Sequence, residues 1–138
     1  MTSRLNPYLS FNGNAREAMQ FYASVFGGEL NLTTFGELGS DGPDADRVMH
    51  AMLRTDSGYV IMGADVPSTM AFQPMTGSSV SISGDQADSA ALHSYWNKLS
   101  SGGTTTMPMD KQAWGDEFGM CTDKFGIPWM IDIGQAAG

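Results

Sequence analysis

His50 is the first residue in this chain to weigh for chemistry. A histidine side chain can take or give a proton in the physiological pH range, or orient a ligand. His50 stands in Val48-Met49-His50-Ala51-Met52-Leu53-Arg54. Strand alternation there sends His50, Met52 and Arg54 to one face and Met49, Ala51 and Leu53 to the other. A histidine facing a ligand is one reading of that pattern, and a hydrogen-bonded structural histidine is the other. Trp114 and Trp129 could stack on a bound molecule. Trp129 can equally be core, whereas a tryptophan in the loop Gln112-Ala113-Trp114-Gly115 suits a pocket wall or a dimer contact. Tyr8 divides between core and pocket. Glu37, Asp116 and Glu117 are possible acids or bases, or simply solvated carboxylates. His93 lies beside the apolar face of a helix and reads as surface or packing. Cys121 reads as a small buried strand residue before it reads as a reactive thiol.

Other chemistries fail on spacing. The chain has no Gly-x-Ser-x-Gly elbow, no Gly-rich phosphate loop ending in Lys-Ser/Thr and no Gly-x-Gly-x-x-Gly after a strand. A nucleotide or adenosyl-methionine site of the doubly wound kind therefore has no sequence support, and no cofactor is expected.

Composition narrows the partners. Seven Lys and Arg stand against fifteen Asp and Glu, a net charge of -8, with no basic stripe. Nucleic acid and anionic membrane surfaces are poor partners for such a chain. No apolar run approaches the ~20 residues that span a bilayer, and no secretory signal is visible. One cysteine precludes an internal disulfide framework and fits a reducing cytoplasm, which is the expected location. Eleven methionines are many for 138 residues. They can be ordinary core filling, or a polarizable lining that adapts to apolar ligands.

The elements that must position these residues come in duplicate. His50 to Met62 lies on Phe118 to Met130 without a gap, with Met52 on Met120, Gly58 on Gly126 and Met62 on Met130. Each stretch reads as strand, tight turn, strand. The preceding helices repeat as well, with Ala18, Phe21, Tyr22 and Val25 on one face of the first and Leu92, Tyr95, Trp96 and Leu99 on one face of the second. Internal repetition sets architecture before any motif does, and two similar halves tend to hold a ligand between them. The spacing predicts strands over 6–11, 29–35, 47–54, 58–64, 78–83, 104–109, 117–122 and 127–133. It predicts helices over 15–26, capped by Asn14, and 86–99. The loop 36–46 is Gly-, Asp- and Pro-rich and reads as a mobile surface segment. The tail from Gly134 is expected to fray.

This β-α-β-β-β order, taken twice, resembles the vicinal oxygen chelate superfamily (glyoxalase, bleomycin resistance and dioxygenase fold), and within it the PhnB-like group. The residues that carry the likeness are Pro7-Tyr8-Leu9-Ser10-Phe11-Asn12-Gly13-Asn14, then Ala18 with Phe21-Tyr22, then Phe26-Gly27-Gly28-Glu29-Leu30. His50-Ala51 and the run Thr122 to Ile131 complete it. The resemblance implies an α+β fold of two βαβββ modules in tandem, with mixed, mainly antiparallel curved sheets. It implies a single glyoxalase-like domain over 1–138, with modules of about 4–65 and 77–134, a crossover linker of about 66–76, and a homodimer.

The resemblance also implies metal ligands on the first and last strand of each module, typically His or Gln, then Glu. Carried over, those positions fall near Pro7, Met62, Ser79 and Met130, which suit no catalytic metal. Arg4 to Phe11, Tyr59 to Ala64 and Ser78 to Ser83 contain no His, Asp, Glu or Cys. Asp65 and Asp132 are the carboxylates that could be recruited, too few for the three protein ligands a catalytic site wants. No metal is expected.

The expectation is thus metal-free binding of an unidentified small molecule in a Met- and Trp-lined cleft by Tyr8, His50, Met62, Trp114, Trp129 and Met130. Sequestration, as in bleomycin-type resistance members, is what fold analogy offers. A lyase or isomerase on a small carbonyl or phosphonate compound is the alternative. It would use a metal held by Asp65, Asp132 and His50, or His50 as acid/base with Glu37 or Asp116. An interaction module using the sheet surface is a third reading. Methyltransferase names occur in the PhnB-like group, but neither fold nor loop for that activity is visible.

Overall fold

Both hairpins of the repeat close through the same turn. The N–H of Gly58 donates to the carbonyl of Thr55 at 3.0 Å, and that of Gly126 to the carbonyl of Asp123 at 2.9 Å. The two glycines have φ of 92° and 90°, a region that side chains disfavour. The computed structural model describes residues 3–135, which divide into two compact units with the boundary between Pro74 and Met75.

The first unit runs β1 (Tyr8–Phe11), α1 (Ala15–Phe26), β2 (Glu29–Thr34), β3 (Val48–Arg54) and β4 (Val60–Asp65). The second runs β5 (Val80–Gly84), α2 (Ser89–Ser100), β6 (Thr104–Lys111), β7 (Glu117–Thr122) and β8 (Pro128–Ile133). Their sheets have the orders β1-β4-β3-β2 and β5-β8-β7-β6. The first pair in each is parallel and the others are antiparallel. This is the tandem βαβββ fold of the α+β class. No helix among the described residues is long and apolar enough to cross a membrane.

In each unit the helix covers one side of the sheet. Leu9, Phe11, Ala51, Leu53 and Ile61 are buried there with Ala18, Met19, Tyr22 and Val25 of α1. Leu92, Trp96 and Leu99 of α2 do the same over Cys121, Trp129, Ile131 and Ile133. Each large apolar side chain so buried is worth about 1.5–3 kcal/mol. Phe21 and Tyr95, expected on the buried faces, are only half-buried at the helix margins. Glycine is required where the chain leaving each helix passes the end of a strand. A Cβ on Gly28 would strike the Arg54 carbonyl oxygen, and one on Gly103 would strike that of Thr122.

Three local expectations need correction. Asn14 makes no side-chain cap on α1. Asp65 does that work from β4: its Oδ1 accepts from the N–H of Ala15 at 3.0 Å and of Gly13 at 2.8 Å, and its Oδ2 from Val48 at 2.9 Å. Met49 does not alternate, because the register steps from Thr33–His50 to Thr34–Val48 and leaves Met49 in a bulge. The helix expected from Gln86 opens instead as a 3-10 turn at Gln86–Asp88, where Asp85 and Asp88 cap each other's backbone, and α2 proper starts at Ser89.

The 36–46 loop is tied to the chain that follows β4. Asp44 accepts from Ser68 N–H and Oγ, both at 3.0 Å, and Arg47 donates to Val66 O at 2.7 Å. In the tail, Gly134 N–H donates to Gly84 O at 2.7 Å, and residues 136–138 lie outside the described residues.

Candidate functional site

The side of each sheet away from its helix is the open face, and most of the expected site residues stand on it. In the first unit the register places Tyr8 beside Met62 and Met62 beside Met52. One step along, Ser10 lies beside Ala64, and His50 lies opposite Thr33 of β2. Alternation puts Tyr8, Met62, Met52 and His50 on this one face, while Leu9, Ile61, Ala51 and Leu53 are buried on the other.

Tyr8 and His50 belong to strands separated by β4, yet the Tyr8 hydroxyl lies 3.2 Å from His50 Nδ1. The rings are 5.8 Å apart and tilted by 33°. The small side chain of Ala64 on the intervening strand leaves room for this reach. Partial burial raises the Tyr8 phenol above its usual 10.0, so it stays protonated at neutral pH. Phenol and imidazole can each donate or accept, which makes the pair a proton-sharing group on the face that also carries the thioethers of Met52 and Met62.

In the second unit the equivalent row is Ser81, Met130, Met120 and Met107, and the next is Ser83, Asp132, Phe118 and Asp110. Phe118 thus stands where the first unit has His50. Asp132 Oδ1 is buried and has no hydrogen-bond partner among the described residues. Its carboxyl is raised above the ordinary 3.8 by burial first, then by a hydrogen bond and charge repulsion from Asp116. Trp114 is 59% exposed in the β6–β7 loop, its ring edge-on to Phe118 at 6.1 Å. A polar pocket of about 390 Å³ opens nearby, lined by Gln86, Asp110, Lys111, Gly115, Glu117 and Gln135. None of the expected ligand-binding residues lines it.

Trp129 parts from the group. It is 1% exposed on the helix side, and its indole N–H donates to Asp123 Oδ2 at 2.8 Å. Asp123 Oδ1 also accepts from Phe125 and Ile127, so this pair braces the last hairpin. The signal was present in the sequence: Trp129 shares its parity with Ile127, Ile131 and Ile133, all buried. The acid/base candidates are also spoken for. Glu37 accepts from Thr34 N–H while its own N–H donates to Thr34 Oγ1. Glu117 Oε1 lies 3.2 Å from His93 Nε2, joining α2 to β7. Cys121 is buried, and burial with the nearby Asp123 charge pushes its thiol up to about 11. Met52, which shares the parity of His50 and pairs with Met62, stands on the same face although it was not among the expected residues.

The metal that the fold implies does not fit these residues. The open-face pairs on the first and last strands are Tyr8–Met62 and Ser81–Met130, one residue from the expected Pro7 and two from the expected Ser79. Phenol, hydroxyl and thioethers are a poor set for a catalytic divalent ion. Asp65 is turned to the other face and engaged by three backbone N–H groups. Among the described residues no three His, Cys, Asp or Glu side chains converge.

Comparison with known proteins agrees with this architecture. A family model described as 3-demethylubiquinone-9 3-methyltransferase matches residues 3–132. The Escherichia coli K12 protein YjdN is 29% identical over 142 residues, covering 94% of both chains. The crystal structure of Pseudomonas aeruginosa PA1353 superposes with a TM-score of 0.86 at 34% identity, over 98% of this chain and all of that one. A Bacillus cereus PhnB protein gives a TM-score of 0.72 at 24% identity, over 96% of this chain and all of that one. With its duplicated βαβββ units and matched length, the chain belongs to the family described as 3-demethylubiquinone-9 3-methyltransferase, and it shares its fold with the PhnB protein and with a glyoxylase/bleomycin resistance/dioxygenase domain of Frankia (TM-score 0.64).

Proposed function

We propose that this chain binds a small organic molecule on its open sheet faces without a divalent metal ion. The observation that carries the reading is the Tyr8–His50 hydrogen bond set among the thioethers of Met52 and Met62. A polar pair on an apolar, adaptable bed is the composition of an organic-ligand site, where apolar contacts supply affinity and a few polar groups fix orientation. Met130, and Trp114 with its exposed ring, are the contacts proposed for the second unit. The family description names a methyl transfer, but no strand–Gly-rich loop–helix element accompanies these sheets among the described residues. No methyl-transfer step is assigned.

A compound screen by thermal shift in chelator-treated buffer tests this reading. Hits should lose affinity in His50→Ala with little change in the melting temperature of the free protein. Hits indifferent to His50, Tyr8 and Met62 would contradict it. The chain is further proposed to act as a homodimer, and solution mass by light scattering checks that separately.

The same pair supports a second reading, in which His50 serves as acid/base for a lyase or isomerase on a small carbonyl or phosphonate compound. Turnover of such a compound, abolished by His50→Ala with binding retained, would select it over binding alone.

A further inference from the structure

We infer that the open face of the first sheet is a site for a soft monovalent metal cation of the Cu(I) class, held by the thioethers of Met52 and Met62 and by His50 Nε2. Met52 and Met62 are direct partners on adjacent antiparallel strands. Such partners have Cβ atoms about 4.5–5.5 Å apart on one face, close enough for two flexible thioethers to converge on one ion. His50 stands two residues from Met52 on the same strand and face. The three donors therefore form a triangle rather than a line.

The donor chemistry is selective. Thioether sulfur is soft and favours Cu(I), whereas the oxygen and carboxylate donors that hold harder divalent ions are missing from this triangle. The Tyr8 hydroxyl engages His50 Nδ1 at 3.2 Å. With Nδ1–H donating to that hydroxyl, the lone pair lies on Nε2, and the ring is held as metal-bound histidines usually are by an outer partner. The net charge of -8 favours any cation. This inference is independent of organic-ligand binding. The two ligands would compete for His50, so each is titrated without the other.

The test is anaerobic titration of the full chain with Cu(I) against a chromogenic Cu(I) chelator. The expected result is withdrawal of one equivalent per chain, with methyl NMR shifts at Met52 and Met62. Met52→Leu and Met62→Leu preserve volume and are expected to weaken uptake by roughly tenfold or more. Met70→Leu, which alters a methionine 62% exposed elsewhere in the unit, should leave uptake unchanged. No withdrawal of Cu(I) would overturn the inference. So would uptake that disappears in Cys121→Ala while surviving both leucine variants, since the thiol would then be the ligand. A leucine variant counts only if its melting temperature shows that it is folded.

Discussion

Tyr8 and His50 meet at 3.2 Å across a strand that belongs to neither, Tyr8 reaching from β1 over β4 to His50 on β3. The contact is a product of register. Tyr8 pairs with Met62 and not with Ala64, so the phenol approaches the imidazole diagonally over the smaller neighbour. Tyr8→Phe removes the hydroxyl and nothing else. Because Tyr8 is 53% exposed, the stability of the free protein should change by less than about 0.5 kcal/mol. Affinity for an organic ligand should fall by roughly three- to tenfold, the net worth of one hydrogen bond. Calorimetric titration beside a denaturation curve separates the two effects.

Asp65 should be among the costliest carboxylates to remove. It holds three backbone N–H groups from two distant segments, and Asp65→Ala strands all of them. The expected loss is about 3–5 kcal/mol in urea denaturation, with Asp65→Asn costing less because one acceptor oxygen survives. A loss under about 1 kcal/mol would mean that α1 is capped some other way.

Trp129→Phe separates a core role from a ligand role. The indole N–H to Asp123 is lost and a small void is left, for an expected cost of about 1–3 kcal/mol. Ligand affinity should be unchanged once the variant is folded. Unchanged stability with lost affinity would return Trp129 to the binding site.

Asp132 gives a pH-dependent signature. Its carboxyl is raised in the folded chain by burial and by Asp116, so the folded state holds that proton more tightly than the unfolded state. The associated stability is fully present below the ordinary value of 3.8 and is lost as pH rises through the raised value. At neutral pH the ionised group is unfavourable, and Asp132→Asn should raise the melting temperature. The gain should shrink as the pH is lowered toward 4. A gain independent of pH would show that ionisation is not its cause.

The legible parts of this fold are those encoded over a few residues. The paired turns at Thr55–Gly58 and Asp123–Gly126 could be read because each is closed by its own first residue and a positive-φ glycine. The bounds of α1 followed from spacing and the glycines after Phe26. The cap of α1 could not be read. Asp65 lies 50 residues from Ala15, and a local rule assigns the task to the neighbouring Asn14. The His50 face was legible from alternation, whereas its meeting with Tyr8 depends on the order β1-β4-β3, which no local pattern encodes. The bulge at Met49 likewise depends on the facing strand, since the shift is defined against Thr33 and Thr34.

The most direct test of the account is NMR of methionine methyl and histidine ring signals during a small-molecule screen in metal-free buffer. The account predicts that binders move His50 and Met62 together, and that Tyr8→Phe weakens the same compounds. Binders that leave both signals in place and instead shift His93, which pairs with Glu117 of the polar pocket, would contradict it.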